Sequence, residues 1–455
     1  MTEADEMRKP APSRGTRWLI LAVVGVASFG GYYAFDYIGP LAPVLSRQLH
    51  FSNADIGLLQ AIYSLPNIVM ALVCGILIDR LGTRKSLSIF SVLIFTGLVI
   101  TALSPRLAVM ATGRLFAGLG GEALALVANV AVGRWFYAHE MSLAFGVRGS
   151  AARLGSLSAQ ISPAWAPGAY THWRWPLLLG VAFGGLCLLG AAIYWILDAR
   201  GERRYTLGHD AQGTTIPLRE VFRLSRSFWL IAALCFTFYG CIFPFETFGQ
   251  KFLIEARHVS PQTASLLVGM EPFFSLIGMP IFGLIVDRYA HRSLLMMLGA
   301  LLLVPAFPML GFTNIQPAIP MAMMGVAFAL VPAIMWPALI YVVDRSRLGL
   351  ANGMLDSVQQ LGLVILNLLI GWINDRWLAS AANPGGYGAS ILTFTGIAVL
   401  AVIIAYVLWR VESGPGSHGL ETITVERSLP DQSDAASSLA LGGTIQGARL
   451  CQRAC

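Results

Sequence analysis

Charge is what this chain has least of. Asp, Glu, Lys and Arg make up only 12% of its 455 residues, against roughly 25% in a soluble domain, so water is not its main solvent. No Gly-x-x-x-x-Gly-Lys-Ser/Thr stretch occurs, and driving by a bound nucleoside triphosphate has no support. The seven histidines are scattered; His50, His139, His172 and His209 fall in loops or at membrane interfaces. Without a metal-spaced His/Cys cluster, a nucleophile elbow or a catalytic dyad, neither an enzyme nor a cofactor or metal site is expected. Of six cysteines, Cys74, Cys187, Cys235 and Cys241 sit in apolar runs and Cys451 and Cys455 end the tail. They read as small packing residues, not as a disulfide framework. A cleavable signal peptide is not expected, because the first apolar run starts at Trp18 and is too long for an h-region.

What the chain does have is apolar length. Hydrophobic residues make up 56% of it, in repeated runs of about 20 residues or more, the length a helix needs to cross the hydrocarbon core. The fold class is an all-α polytopic membrane protein with twelve spans, near residues 18–44, 56–78, 87–104, 107–136, 142–168, 175–197, 228–252, 262–285, 293–311, 317–343, 349–372 and 390–410. This divides the chain into an N-terminal tail (1–17), a six-helix bundle (18–197), a linker (198–227), a second bundle (228–410) and a tail (411–455) rich in Ser, Gly, Asp and Gln, expected to be disordered.

The net charge of +7 is a topology signal. Basic residues gather before span 1 (Arg8, Lys9, Arg14, Arg17), after span 2 (Arg80, Arg84, Lys85), in the linker (Arg200, Arg203, Arg204, Arg219, Arg223, Arg226), after span 8 (Arg288, Arg292) and after span 10 (Arg345, Arg347). The opposite loops carry few, Arg47 and Arg106 among them. Both termini and the linker are therefore expected on the cytoplasmic side.

A repeat ties the halves together. GILIDRLGTRKS begins at Gly75 and GLIVDRYAHRSL at Gly283, 208 residues later. A glycine lets a neighbouring helix come close, and an aspartate one turn on can accept from a helix N-terminus or pair with arginine. Gly75, Asp79, Arg80, Gly82, Arg84 and Lys85, with Gly283, Asp287 and Arg288, are thus candidate gate residues. In this pattern the chain resembles the major facilitator superfamily. The resemblance implies two pseudo-symmetric six-helix bundles, a midplane substrate site between them and alternating access by rocking.

Further stretches, GGEALALVANVAVGRWF, LAFGVRGSAARLGS, FPFETFG, WPALIYVV and LGLANGMLDSVQQLGLVILNLLIGWIND, are similar in order to the lysosomal dipeptide transporter branch. That resemblance implies that Glu122 and Arg153 hold the two ends of a dipeptide. Glu246 and Glu271 depart from the branch's pattern, and no acidic dileucine sorting signal stands in the N-terminal tail. The expected location is therefore a cell (inner) membrane, not a lysosomal one.

Charges inside spans cost several kcal/mol and face a bundle interior or a wet cavity. At about 1.5 Å per residue, Glu122 in span 4 and Arg153 in span 5 both fall near mid-bilayer, on consecutive helices expected to be neighbours. They form either a buried salt bridge or a split site in which the carboxylate meets an ammonium and the guanidinium forks a carboxylate. Arg114, two turns from Glu122 on the same face, either holds it ionised, serves coupling or is structural. Arg148 either snorkels or joins the site, and Asn129 lines the cavity or packs. Tyr32, Tyr33 and Asp36 of span 1 are candidate cavity residues. Glu246, beside Pro244 in a span expected to kink or break there, and Glu271, beside Pro272, are counter-charges for a cationic side chain, proton carriers, or acids exposed at the outer end. Trp336 beside Pro337, and the stripe Asn352, Asp356 and Gln359, complete the set. The expected function is secondary or facilitative dipeptide transport, cationic dipeptides included. The alternative is a proton-coupled carrier of small organic anions or drugs. Protons and lipid are the other expected partners, and a monomer is the expected state.

Overall fold

In the computed structural model, residues 10–137, 140–208, 220, 223–415 and 417–422 are described. Arg8, Lys9, His139, His209, Arg219, the side chain of Arg345, most of the linker tip and the tail with Cys451 and Cys455 lie outside the described residues.

Among the described residues, ten helical segments are long and apolar enough to cross a bilayer. One of them, Asn53–Leu103, is two spans joined where Gly82 takes φ +76°, a left-handed turn open to glycine and strained for other residues. Met141–Gln160 adds the fifth span; its arginines and serines make it too polar for a hydropathy criterion. Twelve crossings result. Their outer surfaces carry Leu284, Ile340, Trp372 and Leu392, as the hydrocarbon phase requires.

Local chemistry sets the breaks. Span 1 (Arg14–Leu49) is interrupted at Tyr37, three residues before Pro40. Span 2 opens at Ser52, whose hydroxyl accepts from the Asp55 N–H while Asp55 answers the Ser52 N–H, a reciprocal cap. Span 8 starts on Pro261 after the Ser260 cap and is interrupted at Gly269, just before Glu271. Span 7 (Arg226–Arg257) runs through Pro244 without interruption, so the break expected there is absent. Span 10 (Ala318–Val342) likewise continues through Pro332 and Pro337.

Spans 3 and 4 pack closely, as do spans 1 and 5, 1 and 6, and 3 and 6; in the second half the close pairs are 8 and 10, 9 and 12, 9 and 10, and 7 and 11. The halves meet through spans 2 and 11, 1 and 7, and 5 and 8. Span 5 lies chiefly on span 1, and its contact with span 4 is slight. Spans 4 and 5 therefore flank span 1, and the neighbourhood expected for Glu122 and Arg153 is replaced by one in which span 1 stands between them.

The two ends of the molecule differ. At the end away from the linker, the halves are sealed. Asp375, at the end of span 11 (Leu348–Arg376), accepts from the N–H of Asn53 and the Asn53 amide at 2.8 and 2.9 Å, and from the N–H of Ala54 at 2.8 Å. It thus satisfies the unpaired N-terminal donors of span 2 across the interface. Gly371, one turn earlier, makes this possible: a Cβ there would strike the Asn53 carbonyl oxygen. Lys251 donates to Asn53 at 2.6 Å, and Gln250 of span 7 to the Gln160 carbonyl oxygen of span 5 at 2.8 Å. Gly371-x-x-x-Asp375-Arg376 repeats the Gly75 pattern, and it carries the latch chemistry expected of that motif at the opposite end of the molecule.

At the linker end, a Cβ on Gly75 or Gly283 would meet nothing within 4 Å, so no helix packs against either glycine. Arg84 pairs with Asp198 at 3.1 Å and with Glu202, and Arg134 binds the same two acids. These pairs brace spans 3, 4 and 6 within the first half. Arg80, Lys85 and Asp287 are exposed, and Arg288 lies over its neighbour Tyr289. The protein is closed at one end and open at the linker end.

Asp375→Ala removes two charge-assisted bonds to backbone N–H groups, each worth about 1.5–3 kcal/mol. Amide exchange over residues 53–57, followed by hydrogen–deuterium mass spectrometry, should accelerate by about tenfold or more while exchange in span 3 stays as it was.

Candidate functional site

Between the halves lies a cavity of about 1040 Å³, at the upper end of the roughly 300–1,000 Å³ typical of small-molecule clefts. Its walls come from spans 1, 2, 4 and 5 on one side and 7, 10 and 11 on the other. It runs from Asp79, Ser346 and Gly349 at the linker end to Asp36, Tyr63 and Ser156 at mid-depth.

Glu122 reaches this cavity because span 4 is pressed against its neighbours. A Cβ on Gly118 would strike the Tyr63 carbonyl oxygen, one on Gly120 the Phe90 carbonyl oxygen, and one on Gly121 the Tyr63 hydroxyl. Small residues here let span 4 seat between spans 2 and 3. The carboxylate then accepts from Gln360 Nε2 of span 11 at 2.9 Å, a bond that crosses between the halves. Arg148 and Arg153 are the cations within electrostatic reach of it. Among the described residues no ion pair within 4 Å joins Glu122 to Arg153, so the structure holds them apart.

Arg153 enters from span 5 with its guanidinium carbon 5.0 Å from the Phe328 ring centroid, a cation–π seat. Tyr32, Tyr239, Asp36 and Glu271 face it. Arg148 lines the cavity nearer the linker end, with Nε and one terminal nitrogen buried and unpartnered. Asp356 of span 11 faces Glu122 and lies within hydrogen-bonding reach of Gln360. The cavity wall thus carries four acids, Asp36, Asp79, Glu122 and Asp356, and two guanidiniums, Arg148 and Arg153, with Asp356 alone of these from the second half.

The cavity also takes in Tyr32, Asp36, Asn129, Asn352, Asp356, Gln359 and Trp336. The Trp336 indole donates to the Tyr239 hydroxyl at 2.9 Å, fixing both rings in the wall. Gln359 Oε1 is buried without a partner.

Other candidates go elsewhere. Tyr33 stacks on Phe183 of span 6 at 4.1 Å and 30°, inside the first half and away from the cavity. Arg114 is fully buried and serves four acceptors: the carbonyl oxygens of Leu59 (3.1 Å), Ala34 (2.7 Å) and Phe35 (3.2 Å), and Gln60 Oε1 (2.8 Å). The Tyr63 ring centroid lies 4.3 Å from it. Arg114 does not reach Glu122; it ties span 1, where that helix breaks, to span 2. Glu246 and Glu271 are 6% and 2% exposed and are not part of the cavity wall, so neither stands in outer water nor lines the substrate space.

From the sequence, Gln360 stands out only as one of the polar residues of span 11, and Tyr239 and Phe243 are not singled out. The i, i+4 step from Asp356 to Gln360 carried a signal for the first; Tyr239 and Phe243 look like any aromatic pair in an apolar helix.

The family model described as Major Facilitator Superfamily matches residues 24–365 and 247–442. The Homo sapiens Lysosomal dipeptide transporter MFSD1 is 30% identical over 420 residues, covering 89% of this chain and 89% of that protein. The Hexuronate transporter of Escherichia coli (strain K12) is 24% identical over 424 residues, covering 88% of this chain and 94% of that one. Among solved structures, a bacterial homolog of the human lysosomal transporter Spinster, in an inward-facing and unoccupied conformation, superimposes with TM-score 0.72 at 18% identity, over 88% of this chain and 98% of that one.

Replacing Arg114 by Leu leaves three carbonyl oxygens and Gln60 without their donor in a dry site, at about 1–3 kcal/mol for each group left unpaired. Arg114→Leu should lower the thermal midpoint of the purified protein sharply, whereas Tyr33→Phe, which keeps the ring stack on Phe183 and removes only a hydroxyl outside the cavity wall, should leave transport within about twofold of wild type.

Proposed function

We propose, for a chain that belongs to the major facilitator superfamily, that it carries dipeptides across a membrane by alternating access. The observation that carries this is the separation of Glu122 and Arg153. One carboxylate and one guanidinium face a shared wet space from flanking helices, beyond ion-pair distance, so each is available to an opposite charge on a ligand. A dipeptide presents an ammonium and a carboxylate at its two ends, with a peptide link and side chains between. Its ammonium meets Glu122, backed by Asp356; its carboxylate is forked by Arg153. Tyr32, Tyr239 and Trp336 form the wall along the middle, and Arg148 stands at the mouth.

Alternation follows from which end is sealed. The Asp375 latch and the Lys251–Asn53 bond hold the far end shut, while Gly75 and Gly283 await helices that would close the linker end. Gln360 joins Glu122 across the halves, so a ligand ammonium that competes for Glu122 also acts on the contact between them. With basic residues gathered at the linker end, we place that end and both termini in the cytoplasm, and the protein in a cell membrane. The likeness to Lysosomal dipeptide transporter MFSD1 supports the substrate class.

A second reading has its own observation. The hexuronate transporter relative and the pair Arg148 and Arg153 fit a sugar acid, whose single charge is a carboxylate. The acids Glu122 and Asp356, facing each other in the same cavity, weigh against it.

In proteoliposomes, counterflow of a neutral dipeptide should fall about 10–100-fold in Glu122→Gln and in Arg153→Ala, the loss of one charge-assisted bond. Dipeptides acetylated at the amine or amidated at the carboxyl should not compete. Undiminished counterflow in both variants refutes the clamp, and competition by galacturonate alone favours the sugar acid.

A further inference from the structure

Behind Arg153, at the closed end of the cavity, three acids converge from three helices: Asp36 of span 1, Glu246 of span 7 and Glu271 of span 8. They are 6%, 6% and 2% exposed. Arg153 faces all three. Arg114 of span 4 faces Asp36 but is already committed to four acceptors. The remaining titratable neighbours are Tyr63 of span 2 beside Asp36, and Tyr32 and Tyr239 beside Arg153. Span 10 has no charged residue between Ala318 and Val342. In span 11, Asp356 faces Glu122 and Asp375 caps span 2; Lys251 of span 7 is bonded to Asn53.

Two features set this group apart from a plain salt-bridge network. The carboxyl groups of Glu246 and Glu271 face each other, and two carboxylates, which only accept, can hydrogen-bond to one another only by sharing a proton. Glu271 Oε1 is buried without a hydrogen-bond partner, on a side chain that is almost wholly enclosed. The group straddles the seam as well: Asp36 and Arg153 belong to the first six spans, Glu246 and Glu271 to the last six. A rocking of the halves that opened the far end would part them and let water in.

We propose that Asp36, Glu246 and Glu271 form a proton-binding site that couples transport to a proton gradient through Arg153. This rests on the reading of Arg153 as the seat of a substrate carboxylate. When that carboxylate takes the guanidinium, the acids lose their counter-charge, and one proton from water at the far end binds a carboxyl oxygen of the cluster. The buried charge is then unchanged: one negative group arrives with one proton. When the substrate leaves at the linker end, Arg153 returns to the acids and the proton passes to cavity water. One proton moves with each substrate carboxylate.

Two measurements on the full-length protein in lipid test this. Infrared spectra of the empty protein near neutral pH should show a protonated-carboxyl C=O band that Glu271→Gln and Glu246→Gln each diminish. Both substitutions keep size and can donate where the shared proton did, so they preserve the packing. In liposomes, a proton gradient should concentrate the carried substrate above its equilibrium level, up to about tenfold per pH unit for one proton per substrate. Both Gln variants should still exchange substrate but lose that concentration.

Wild-type protein that exchanges without concentrating, Gln variants that concentrate as wild type does, or an unchanged carbonyl band would each overturn the proposal. Counterflow, which needs no proton gradient, separates this from the dipeptide reading. If dipeptides fail to exchange and galacturonate succeeds, the gradient arm is run with galacturonate. If neither exchanges, the dipeptide reading fails and the infrared comparison alone decides the proton site.

Discussion

The cost of taking a charge out of water governs this molecule. In a hydrocarbon phase that cost is several kcal/mol for each group, and each intramembrane charge here shows one way of meeting it. Arg114 surrenders its N–H groups to backbone carbonyl oxygens and becomes a fastener between spans 1 and 2. Asp198 binds two arginines and the Trp135 indole and becomes a brace among spans 3, 4 and 6. Glu122, Arg148, Arg153 and Asp356 stay in contact with a wet cavity. Asp36, Glu246 and Glu271 gather on one guanidinium. Residues of the same type thus serve structure or recognition according to whether protein or water meets their charge.

The same economy explains how one end closes. A helix N-terminus leaves its first N–H groups without partners. Span 2 begins in the seam between the halves, where those groups would otherwise face a dry contact, and Asp375 fills them from the other half. Glycine is needed one turn earlier because the span 11 backbone must come within reach of Asn53. At the linker end the corresponding glycines stand in open space, and the braces among spans 3, 4 and 6 stay within a single half. Closure at one end and opening at the other are therefore written in the same three residue types, used at different places.

Much of this was legible in the sequence. The twelve crossings follow from apolar length and charge, because the bilayer imposes those constraints on each helix separately; the repeat at Gly75 and Gly283 is visible too, but its glycines meet no helix in this structure. Glu122, Arg153, Tyr32, Asp356 and Gln359 could be named as cavity residues from their depth and polarity alone. Tyr33 could not be told from Tyr32, since one step along a helix turns a side chain by about 100°, and only the neighbour at that angle, Phe183, reveals where it goes. Gly371 to Arg376 carries the Gly75 pattern, yet nothing local says that the start of span 2 lies against it.

What the sequence by itself determined is the list of charges that need an explanation and the depth at which each sits. Which of them meet was decided only by the tertiary arrangement. Spans 4 and 5 are consecutive in the chain, yet span 1 lies between them, which is why Glu122 and Arg153 face each other across a space instead of pairing. Glu246 and Glu271 lie 25 residues apart and come into contact only because spans 7 and 8 fold back at one level. Depth is fixed by the membrane and can be counted along a helix; azimuth and partner depend on how twelve helices pack, and no single span contains that information.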